Sequence, residues 1–321
     1  MYETIKTFNE QFLYKPAVEN AAKLKPFKRL IVAGMGGSNL APELLKIRYP
    51  NLEVIAHRDY GLPNLSKKVL KESLIVASSY SGNTEETIDA FNSAVRHNYP
   101  AAAISVGGKL LDLARKRKKP YIQLPNTRIQ PRLALGFAAL ALLKLIGNKP
   151  AMREARDLAA LLKPALLERT GKDLAKKLKS FVPIIYASSH NQAIAYNWKI
   201  KLNETGKIPA FTNVFPELNH NEMTGFDLKE STRELSKNFY FIFLKDPDDH
   251  LKISKRMNVT ERLYRERGLP VEVLILNGKT KFHKIFSSLV LADWTSYYIA
   301  KELRVEPEQV PMVEEFKKLI K

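Results

Sequence analysis

The sequence predicts an α/β protein made of two similar domains, each a doubly wound parallel sheet, followed by a C-terminal helix. Two observations support this fold class. Short apolar runs typical of buried strands alternate with longer segments in which apolar residues recur every three or four positions. This alternation fills the chain up to about residue 148 and resumes after about residue 180, so the second half repeats the layout of the first. Alternating strands and helices favour parallel sheets covered by helices on both faces.

Residues 1–148 form the first predicted domain. Its leading segment, residues 1–25, is predicted to be helical. The apolar stripe of that segment consists of Ile5, Phe8, Phe12 and Leu13. Strands are predicted at 29–33, 54–57, 74–78, 101–106 and 121–124. Helices are predicted through residues 40–45, from Asn83 onward, and from about residue 131, where the chain is most apolar.

A Lys-, Ala- and Leu-rich helical segment at 149–179 is predicted to connect the first domain to the second, which spans 180–321. In the second domain, strands are predicted at 182–187, 239–244 and 271–276. Helices are predicted at 191–203, at 282–303 and, after Pro307, from Glu308 to the end of the chain.

The composition excludes several classes of protein. No apolar run approaches the roughly 20 residues that a membrane-spanning helix needs, so we expect no membrane partner. The chain has no Cys, which excludes disulfides, thiolate catalysis and Cys-ligated metals. The N-terminus carries no signal-peptide pattern, and the expected location is cytoplasmic.

The formal net charge of +19 has two interpretations. A basic surface attracts the phosphate backbone of nucleic acids, or it favours small anionic substrates. The basic stretch at 115–119 is short, and the one at 172–179 is interrupted by Asp173 and by apolar residues. Because no nucleic-acid-binding motif accompanies these stretches, we expect no nucleic-acid partner.

The stretch 76–87 is predicted to bind an anion. An apolar strand ends there in a hydroxyl-rich turn around Gly82, and a helical pattern follows. Asn83 and Glu86 fit a capping box, which places the start of the helix at Asn83. Hydroxyls and free N–H groups at a helix N-terminus suit a phosphate. The hydroxyls best placed for this are Ser79, Ser81 and Thr84. The alternative is a capped turn whose serines serve local structure only.

A second glycine-rich turn, Gly34-x-Gly36-Gly37-Ser38, follows the first predicted strand. The dinucleotide-binding fingerprint needs a further Gly where this chain has Asn39. Asp59 lies about where a ribose-binding acid would fall, so a dinucleotide-dependent enzyme is an alternative. Parallel sheets of this kind bind ligands at the carboxyl ends of their strands, where both turns lie. Two phosphate-type turns favour a phosphorylated small molecule over NAD.

The densest polar chemistry lies between residues 198 and 226. Glu204 is predicted to end a helix, where a carboxylate gains nothing from the helix dipole, so it is a candidate for a role other than stability. His220 lies in a loop among polar residues that can set its protonation. The alternative is that both are ordinary solvated side chains. Spacing such as His-x-x-x-His is absent, so we expect no metal site.

Six motifs occur in order along the chain: Gly34-Met35-Gly36-Gly37-Ser38, Ser79-Tyr80-Ser81-Gly82-Asn83-Thr84, Gly107-Gly108-Lys109, Gln130-Pro131-Arg132, Asn203-Glu204 and Asn219-His220-Asn221-Glu222. As a set they resemble the archaeal-type bifunctional phosphoglucose/phosphomannose isomerases, which belong to the sugar-isomerase (SIS) domain superfamily. The resemblance covers the chain from about Phe27 to the C-terminal helix. It implies two SIS-type, flavodoxin-like domains.

The resemblance also implies a role for each matching residue. The residues that would hold a substrate 6-phosphate are Gly36, Gly37, Ser38, Ser79, Ser81 and Thr84. Glu204 would be the base that moves a proton between C1 and C2, and Arg132 would stabilise the charge of the cis-enediol intermediate. His220 would assist ring opening and would reach the site from the partner subunit of a homodimer. Lys317 would join it, with Lys318 as the neighbouring alternative.

The implied function is a metal-independent aldose–ketose isomerase of carbohydrate metabolism, in glycolysis and gluconeogenesis, that needs no cofactor. It would interconvert glucose 6-phosphate, and mannose 6-phosphate, with fructose 6-phosphate. The residues fit this chemistry, which requires a phosphate anchor, a general base, an acid for ring opening and a cation for the enediolate. The alternative is a non-catalytic SIS-type regulatory protein that binds a phosphosugar, which needs only the phosphate-binding turns.

Overall fold

The computed structural model describes residues 1–320 of the 321-residue chain. The chain divides into two compact units: Thr7–Leu162, and a second unit that combines Met1–Lys6 with the chain from Lys163 onward. Within the described residues, each unit contains one parallel sheet and several helices. The predicted α/β class with two parallel sheets is therefore confirmed.

The chain begins with helix α1 (Tyr2–Lys6), which belongs to the second unit. The strands of the first unit are β1 (Arg29–Ala33), β2 (Val54–His57), β3 (Ser73–Ser78), β4 (Ala101–Ser105) and β5 (Tyr121–Gln123). Its helices are α2 (Ala41–Arg48), α3 (Lys67–Lys71), α4 (Glu85–Arg96), α5 (Gly108–Lys116), α6 (Leu135–Ile146) and α7 (Lys149–Leu161).

The first sheet has the strand order β2-β1-β3-β4-β5, the order of flavodoxin-like folds. All of its strand pairs are parallel. Every residue of β3 is buried, as expected for an inner strand covered on both faces. Ala33 of β1 pairs with Ala77 of β3, so the turns that follow these two strands leave the sheet side by side.

The prediction that residues 1–25 are helical throughout is wrong in part. Helical structure there is limited to α1 and two short 3-10 helices, Phe8–Leu13 and Ala21–Lys23. Pro16 explains the interruption, because proline lacks an N–H and disfavours helical geometry in the residue before it. Phe12 is fully buried but Leu13 is 65% exposed, so the apolar stripe is narrower than predicted.

The strands of the second unit are β6 (Val182–Ser188), β7 (Phe211–Phe215), β8 (Phe239–Lys245) and β9 (Val271–Ile275). They form a parallel sheet in the order β7-β6-β8-β9. The helices of this unit after α1 are α8 (Pro164–Leu178), α9 (Gln192–Glu204), α10 (Glu222–Gly225), α11 (Arg233–Ser236), α12 (Leu251–Glu266), α13 (Lys281–Glu302) and α14 (Pro311–Leu319).

Four elements of the second unit have no counterpart in the sequence prediction, namely strand β7 and the helices α10, α11 and α12. Strand β7 contains Thr212 and Asn213 and is only partly buried, so it lacks the apolar run of a central strand. Helix α12 buries Met257, Thr260 and Tyr264 along one side and is otherwise polar. An element that buries a narrow side gives a weak periodic signal. In the part of the chain that the structure describes, no helix combines the length and the apolar character that crossing a membrane requires.

Candidate active site

The turn after β1 depends on glycines that let it approach other parts of the first unit. It contains a short 3-10 helix, Gly36–Asn39. A Cβ atom on Gly34 would lie 2.5 Å from the carbonyl oxygen of Ser78, at the end of β3. A Cβ atom on Gly37 would lie 2.6 Å from the backbone nitrogen of Arg132. Both distances are shorter than real contacts, so the turn fits between β3 and Arg132 only because these residues lack side chains.

The turn after β3 is closed by its own hydroxyl groups. The hydroxyl oxygens of Ser79 and Thr84 lie 2.8 Å apart and share a hydrogen bond. The Gly82 N–H donates to Ser79 Oγ at 3.0 Å, and the Asn83 N–H donates to Ser81 Oγ at 3.2 Å. Gly82 has a φ of +72°, a conformation that glycine adopts without strain. The hydroxyls of this turn therefore define its shape.

The predicted capping box at Asn83 is wrong. Helix α4 begins at Glu85, and its N-cap residue is Thr84, whose side chain does not cap the helix. The Asn83 side chain is directed elsewhere, because its Oδ1 accepts the N–H of Lys109 at 3.2 Å. The first N–H groups of a helix have no intrahelical acceptor. Since the N-cap side chain does not cover them, they suit an anion bound at this turn.

Two hydrogen bonds join the turns to each other. The Tyr80 N–H donates to Ser38 Oγ at 2.9 Å, and Ser78 Oγ donates to the carbonyl oxygen of Ser38 at 3.0 Å. A hydroxyl that accepts a hydrogen bond can still donate its own hydrogen. Ser38 can therefore connect the two turns and donate to an anion at the same time.

Asn39, which replaces the glycine of a dinucleotide fingerprint, stabilises the first turn. Its side chain is fully buried. Its Nδ2 donates to the carbonyl oxygens of Gly34 and His57, each at 2.8 Å, and so ties the ends of β1 and β2 together. The departure from the fingerprint thus has a structural cause in this chain.

Arg132 places a buried positive charge beside the first turn. It lies in a 3-10 helix, Pro131–Leu133, and its side chain is 1% exposed. Its Nη1 donates to Gln130 Oε1 at 3.5 Å. A guanidinium remains charged at any ordinary pH, and a low-dielectric environment strengthens its field. The position of Arg132 against Gly37 therefore makes this edge of the sheet electropositive.

Glu204 is the last residue of α9, as predicted, and its side chain is partly buried. The Lys207 Nζ donates to the carbonyl oxygen of Glu204 at 2.5 Å, and it also donates to the carbonyl oxygen of Gln309. Cations near a helix C-terminus stabilise its last carbonyl groups. Lys207 in this way links the end of α9 to the segment that precedes α14.

A buried ion pair fixes α9 against α13 one turn before Glu204. The Lys201 Nζ lies 2.5 Å from Asp293 Oδ1, with 0% and 1% of the two side chains exposed. The Trp198 Nε1 donates to Ser288 Oγ at 2.9 Å, which adds a second contact between the same helices. Breaking a buried ion pair is costly. The last turn of α9 is therefore held in one position.

His220 ends a short 3-10 helix, Glu217–His220, and its side chain is exposed. The preceding residue, Asn219, anchors this helix to α12. Its Nδ2 donates to Thr260 Oγ1 at 2.9 Å, and its Oδ1 accepts from Arg256 Nη1 at 3.4 Å. The imidazole of His220 thus extends from an anchored backbone toward solvent.

Glu222 anchors the same loop on the other side of His220. Its carboxylate accepts hydrogen bonds from the Tyr186 hydroxyl and from Asn213 Nδ2. Burial raises the pKa of Tyr186 far above its usual range and that of the adjacent Tyr264 to about 12. The Tyr186 hydroxyl therefore stays protonated and remains a donor to Glu222.

Lys317 and Lys318 are exposed on α14. The Lys317 Nζ lies 2.7 Å from Glu314 Oε1 on the same helix. None of the side chains of α14 is buried. The large apolar side chains exposed on α14 and at its end are Met312, Val313, Phe316, Leu319 and Ile320.

The predicted site residues fall into two groups. In the first unit, the structure brings seven together at the carboxyl ends of β1 and β3: Gly36, Gly37, Ser38, Ser79, Ser81, Thr84 and Arg132. In the second unit, Glu204, His220 and Lys317 lie on three separate elements. Among residues 1–320, no group of three or more His, Cys, Asp and Glu side chains could hold a metal ion.

Several residues that hold the site residues in place carry little or no signal in the sequence. Lys207 had a detectable signal, since a lysine just after a helix end is a common C-terminal stabiliser. Tyr186 had none, because it lies in an apolar strand where an aromatic side chain is typical of the core. Its hydrogen bond to Glu222 joins residues 36 positions apart, which no local pattern predicts.

Known proteins resemble this chain along its whole length. Residues 167–320 match the family model of the bacterial phospho-glucose isomerase C-terminal SIS domain. The chain is 30% identical to the bifunctional phosphoglucose/phosphomannose isomerase of Aquifex aeolicus, over 100% of this chain and 98% of the relative. It is 33% identical to the protein of that name from Caldicellulosiruptor bescii, over 91% of this chain and 89% of the relative.

The fold is also similar to that of solved structures. The C-terminal domain of glucosamine-fructose-6-phosphate aminotransferase from Francisella tularensis superposes with a TM-score of 0.69 and 17% identity, over 96% of each chain. At this level of identity the likeness concerns the fold alone. It agrees with the two parallel sheets described above.

Proposed function

The chain belongs to the family of bifunctional phosphoglucose/phosphomannose isomerases, and we propose that it interconverts glucose 6-phosphate and mannose 6-phosphate with fructose 6-phosphate. The observation that carries this proposal is the 30% identity to an isomerase of that name over the full length of both chains. The linked hydroxyl turns of the first unit support it, because they suit a phosphate group.

In the proposed mechanism, the two turns anchor the 6-phosphate. Ser38 and Ser81 each accept a backbone N–H and keep a hydroxyl hydrogen to donate. Ser79 and Thr84 share one hydrogen bond, so one of their two hydroxyls is left as a donor. Binding energy from this remote group positions the reacting carbons without taking part in the chemistry.

Glu204 is the proposed general base. Its carboxylate takes the proton from C2 of the open-chain aldose, which leaves a cis-enediolate, and returns it to C1 to give the ketose. The hydroxyl hydrogen on O2 moves to O1, so no electrons leave the substrate and no redox partner is needed. C2 of the enediolate is planar, so protonation of its two faces gives glucose 6-phosphate or mannose 6-phosphate.

Arg132 and the second-unit residues complete the proposal. The buried guanidinium of Arg132 stabilises the enediolate charge. His220 and Lys317, with Lys318 as the alternative lysine, assist opening of the sugar ring. We propose, as the family resemblance implies, that His220 serves the site of a second protomer of a homodimer; its exposed imidazole on an anchored loop is compatible with this role. The assembly needs no metal and no cofactor.

A coupled assay tests the activity. Purified chain is incubated with fructose 6-phosphate, and glucose 6-phosphate and mannose 6-phosphate are followed separately, with and without EDTA. We expect both products at rates that the chelator does not change. Formation of glucose 6-phosphate alone would restrict the substrate range. If the sugar phosphate binds in calorimetry but neither product forms, the chain is a phosphosugar-binding regulatory protein and the proposal is wrong.

The role of Glu204 is tested with Glu204→Gln. We expect kcat to fall at least about a hundredfold, the range of general-base catalysis, with circular dichroism and fructose 6-phosphate binding unchanged. Glu266→Gln is the matched control, because Glu266 is also the last residue of a helix, α12, and has no proposed role. Retained turnover in Glu204→Gln would rule out this base.

A further inference from the structure

The first unit has a cleft at the edge of its sheet opposite to the two turns. The cavity has a volume of about 280 Å³ and lies at the amino ends of β3, β4 and β5. Its apolar floor includes Leu74, Tyr99 and Pro120. This edge takes no part in the proposed isomerase chemistry, so the cleft needs an explanation of its own.

The walls of the cleft are strongly basic. Its cationic lining residues are Lys23, Lys25, Arg117, Lys118 and Lys119, and its lining contains no Asp or Glu. Three of them belong to the basic stretch 115–119, which the proposed function leaves unexplained. Like charges gathered around one concave surface produce a positive potential that attracts anions.

Specific hydrogen bonds bring the two basic segments together. The backbones of Glu19 and Tyr121 exchange hydrogen bonds of 2.9 and 3.2 Å, and Asn20 Nδ2 donates to the carbonyl oxygen of Lys119 at 3.1 Å. The 3-10 helix Ala21–Lys23 follows directly. The segment that carries Lys23 is therefore held beside residues 117–119 without any ligand.

The favourable interaction of cations with the C-terminal end of helix α5 accounts for only some of the five cationic residues that line the cleft. Arg117 and Lys118 follow the end of α5, where cations complement the helix dipole. The carbonyl groups there are already engaged, because the Lys119 N–H donates to the carbonyl oxygen of Ala114 at 2.9 Å. Lys25 comes from a separate segment that ends no α-helix, so the dipole of α5 does not explain its position.

We propose that this cleft binds a small anion that carries two or more phosphate groups. The volume is close to the lower limit of ligand pockets, roughly 300 Å³, which favours a compact ligand. Cations on two neighbouring segments can contact two phosphate groups at once. This site is separate from the turns that hold the sugar 6-phosphate, so its occupation does not depend on the isomerase reaction.

Isothermal titration calorimetry with inorganic pyrophosphate tests the proposal on the full chain. We expect saturable binding that weakens as NaCl is raised, since the contacts are ionic. The double variant Lys25→Ala/Arg117→Ala should weaken binding at least roughly tenfold, because it removes two charged hydrogen-bond donors from the cleft. The matched control is Lys67→Ala/Lys68→Ala, which removes the same charge from exposed positions on α3 and should leave the affinity unchanged.

Three results would overturn the proposal. Equal weakening in both double variants would mean that only the net charge matters. Displacement of pyrophosphate by saturating fructose 6-phosphate would place the anion at the turns instead. Tighter binding of a short DNA duplex, lost in Lys25→Ala/Arg117→Ala but not in the control, would make the cleft part of a nucleic-acid surface.

Discussion

Hydroxyl groups in the two turns combine local structure with the proposed binding of phosphate. The sequence left these as alternatives, since a Ser-rich turn is common in proteins that bind no anion. The structure shows that the local role is real, because Ser38 Oγ accepts the Tyr80 N–H and Ser79 shares a hydrogen bond with Thr84. A hydroxyl can donate and accept together. The two roles are therefore compatible in the same residue.

Gly37→Ala is expected to damage both stability and catalysis. A Cβ atom there would lie 2.6 Å from the backbone nitrogen of Arg132 and 2.7 Å from the carbonyl carbon of Pro131, and backbone atoms do not move aside easily. Overpacking of this kind costs about 1–3 kcal/mol. Displacement of Arg132 should also lower kcat roughly tenfold. Urea unfolding and the coupled assay measure the two effects.

Gly107→Ala is the control for this substitution. An added Cβ atom at Gly107 meets nothing within 4 Å, and its φ of 178° is extended backbone that any residue adopts. We expect wild-type stability and turnover. A loss in Gly107→Ala equal to that in Gly37→Ala would show that contact with Arg132 is not the cause.

Glu222→Gln is expected to act through His220. The amide would keep one acceptor for the Tyr186 hydroxyl, but its NH₂ group would face Asn213 Nδ2, which is itself a donor. The loop should loosen, and kcat should fall roughly tenfold, as expected when a catalytic group is misplaced. The measurement is a double-mutant cycle with His220→Ala, in which Glu222→Gln should have no further effect.

The cycle separates positioning from general damage. If Glu222→Gln lowers kcat by the same factor with and without His220, Glu222 acts elsewhere in the fold. If His220→Ala alone leaves kcat unchanged, the proposed role of His220 is wrong, whatever Glu222 does. Glu230→Gln, at an exposed position after the same loop, should be silent throughout.

At the scale of elements, the sequence was most informative where burial is complete. The inner strands β1 and β3 each contain an unbroken apolar run of four residues, and such runs are visible in the sequence without tertiary information. The polar helix α12 and the half-buried strand β7 escaped prediction, because their positions depend on neighbours distant in the chain. The prediction of a helix throughout residues 1–25 fails because the apolar stripe ends at Leu13 and Pro16 interrupts helical geometry.

The sequence indicates the turns of the candidate site but not the contacts that hold them together. The glycine- and hydroxyl-rich turns mark the ends of strands, and the order of the six motifs along the chain carries the resemblance to the isomerase family. The contacts that hold the site together were not predictable, since they join residues far apart in sequence. The pairing of Lys201 with Asp293 spans 92 positions, and the packing of Gly37 on Arg132 also joins distant segments. Only a folded chain reveals such contacts.

The two sheets carry different chemistry at their carboxyl edges. The turns after β1 and β3 present hydroxyls, whereas the loop after β8 presents Asp246, Asp248 and Asp249. The Lys284 Nζ lies 2.5 Å from Asp246 Oδ1 and 2.8 Å from Asp248 Oδ2. Carboxylates repel a phosphate. The second unit thus repeats the parallel-sheet fold of the first but does not repeat the proposed phosphate site.

Asp249 gives this loop a defined pH dependence. Burial raises the pKa of Asp249 above its ordinary value of 3.8. Between pH 3.8 and the raised pKa of the folded state, the folded chain keeps the Asp249 proton that the unfolded chain has lost. The contribution of Asp249 to the free energy of unfolding therefore falls as pH rises through this range. Asp249→Asn should be more stable than the wild type near pH 7, and the difference should shrink as pH falls toward 4.

Urea unfolding at the two pH values checks this prediction. Asp248→Asn is the comparison, because its pairing with Lys284 holds the pKa of Asp248 below the ordinary value. The pairing stabilises the fold at pH values above the ordinary carboxyl pKa of 3.8, where Asp248 is charged. Asp248→Asn should therefore be less stable than the wild type near pH 7. Shifts of the same sign in both variants would contradict the assigned causes.

At the scale of the whole molecule, α14 argues for self-association. Phe316 and Leu319 are 58% and 79% exposed on a helix that buries none of its own side chains. Water-exposed apolar groups gathered on one helix favour a protein partner. We expect a homodimer with twice the 36.5 kDa mass of the chain. The same helix carries Lys317, one of the residues that we propose to assist ring opening.

Phe316→Glu should shift the dimer toward monomer and lower turnover at low protein concentration. Sedimentation velocity over a concentration series gives the dissociation constant, and the coupled assay gives the turnover. Leu166→Glu is the control, because Leu166 is 77% exposed on α8 and has no proposed contact. A fully active monomer of the wild type would contradict both the dimer and the shared His220.

The buried pair Lys201–Asp293 also constrains how this sequence can diverge. Replacing either residue alone would leave a charge without its counterion inside the protein, at a cost of about 3–5 kcal/mol. That is a large share of the roughly 5–15 kcal/mol that stabilises a typical domain. Replacing both with apolar residues of similar volume can be neutral. Positions 201 and 293 should therefore change together across evolutionary time, and a lineage that carries only one of the two changes should be short-lived.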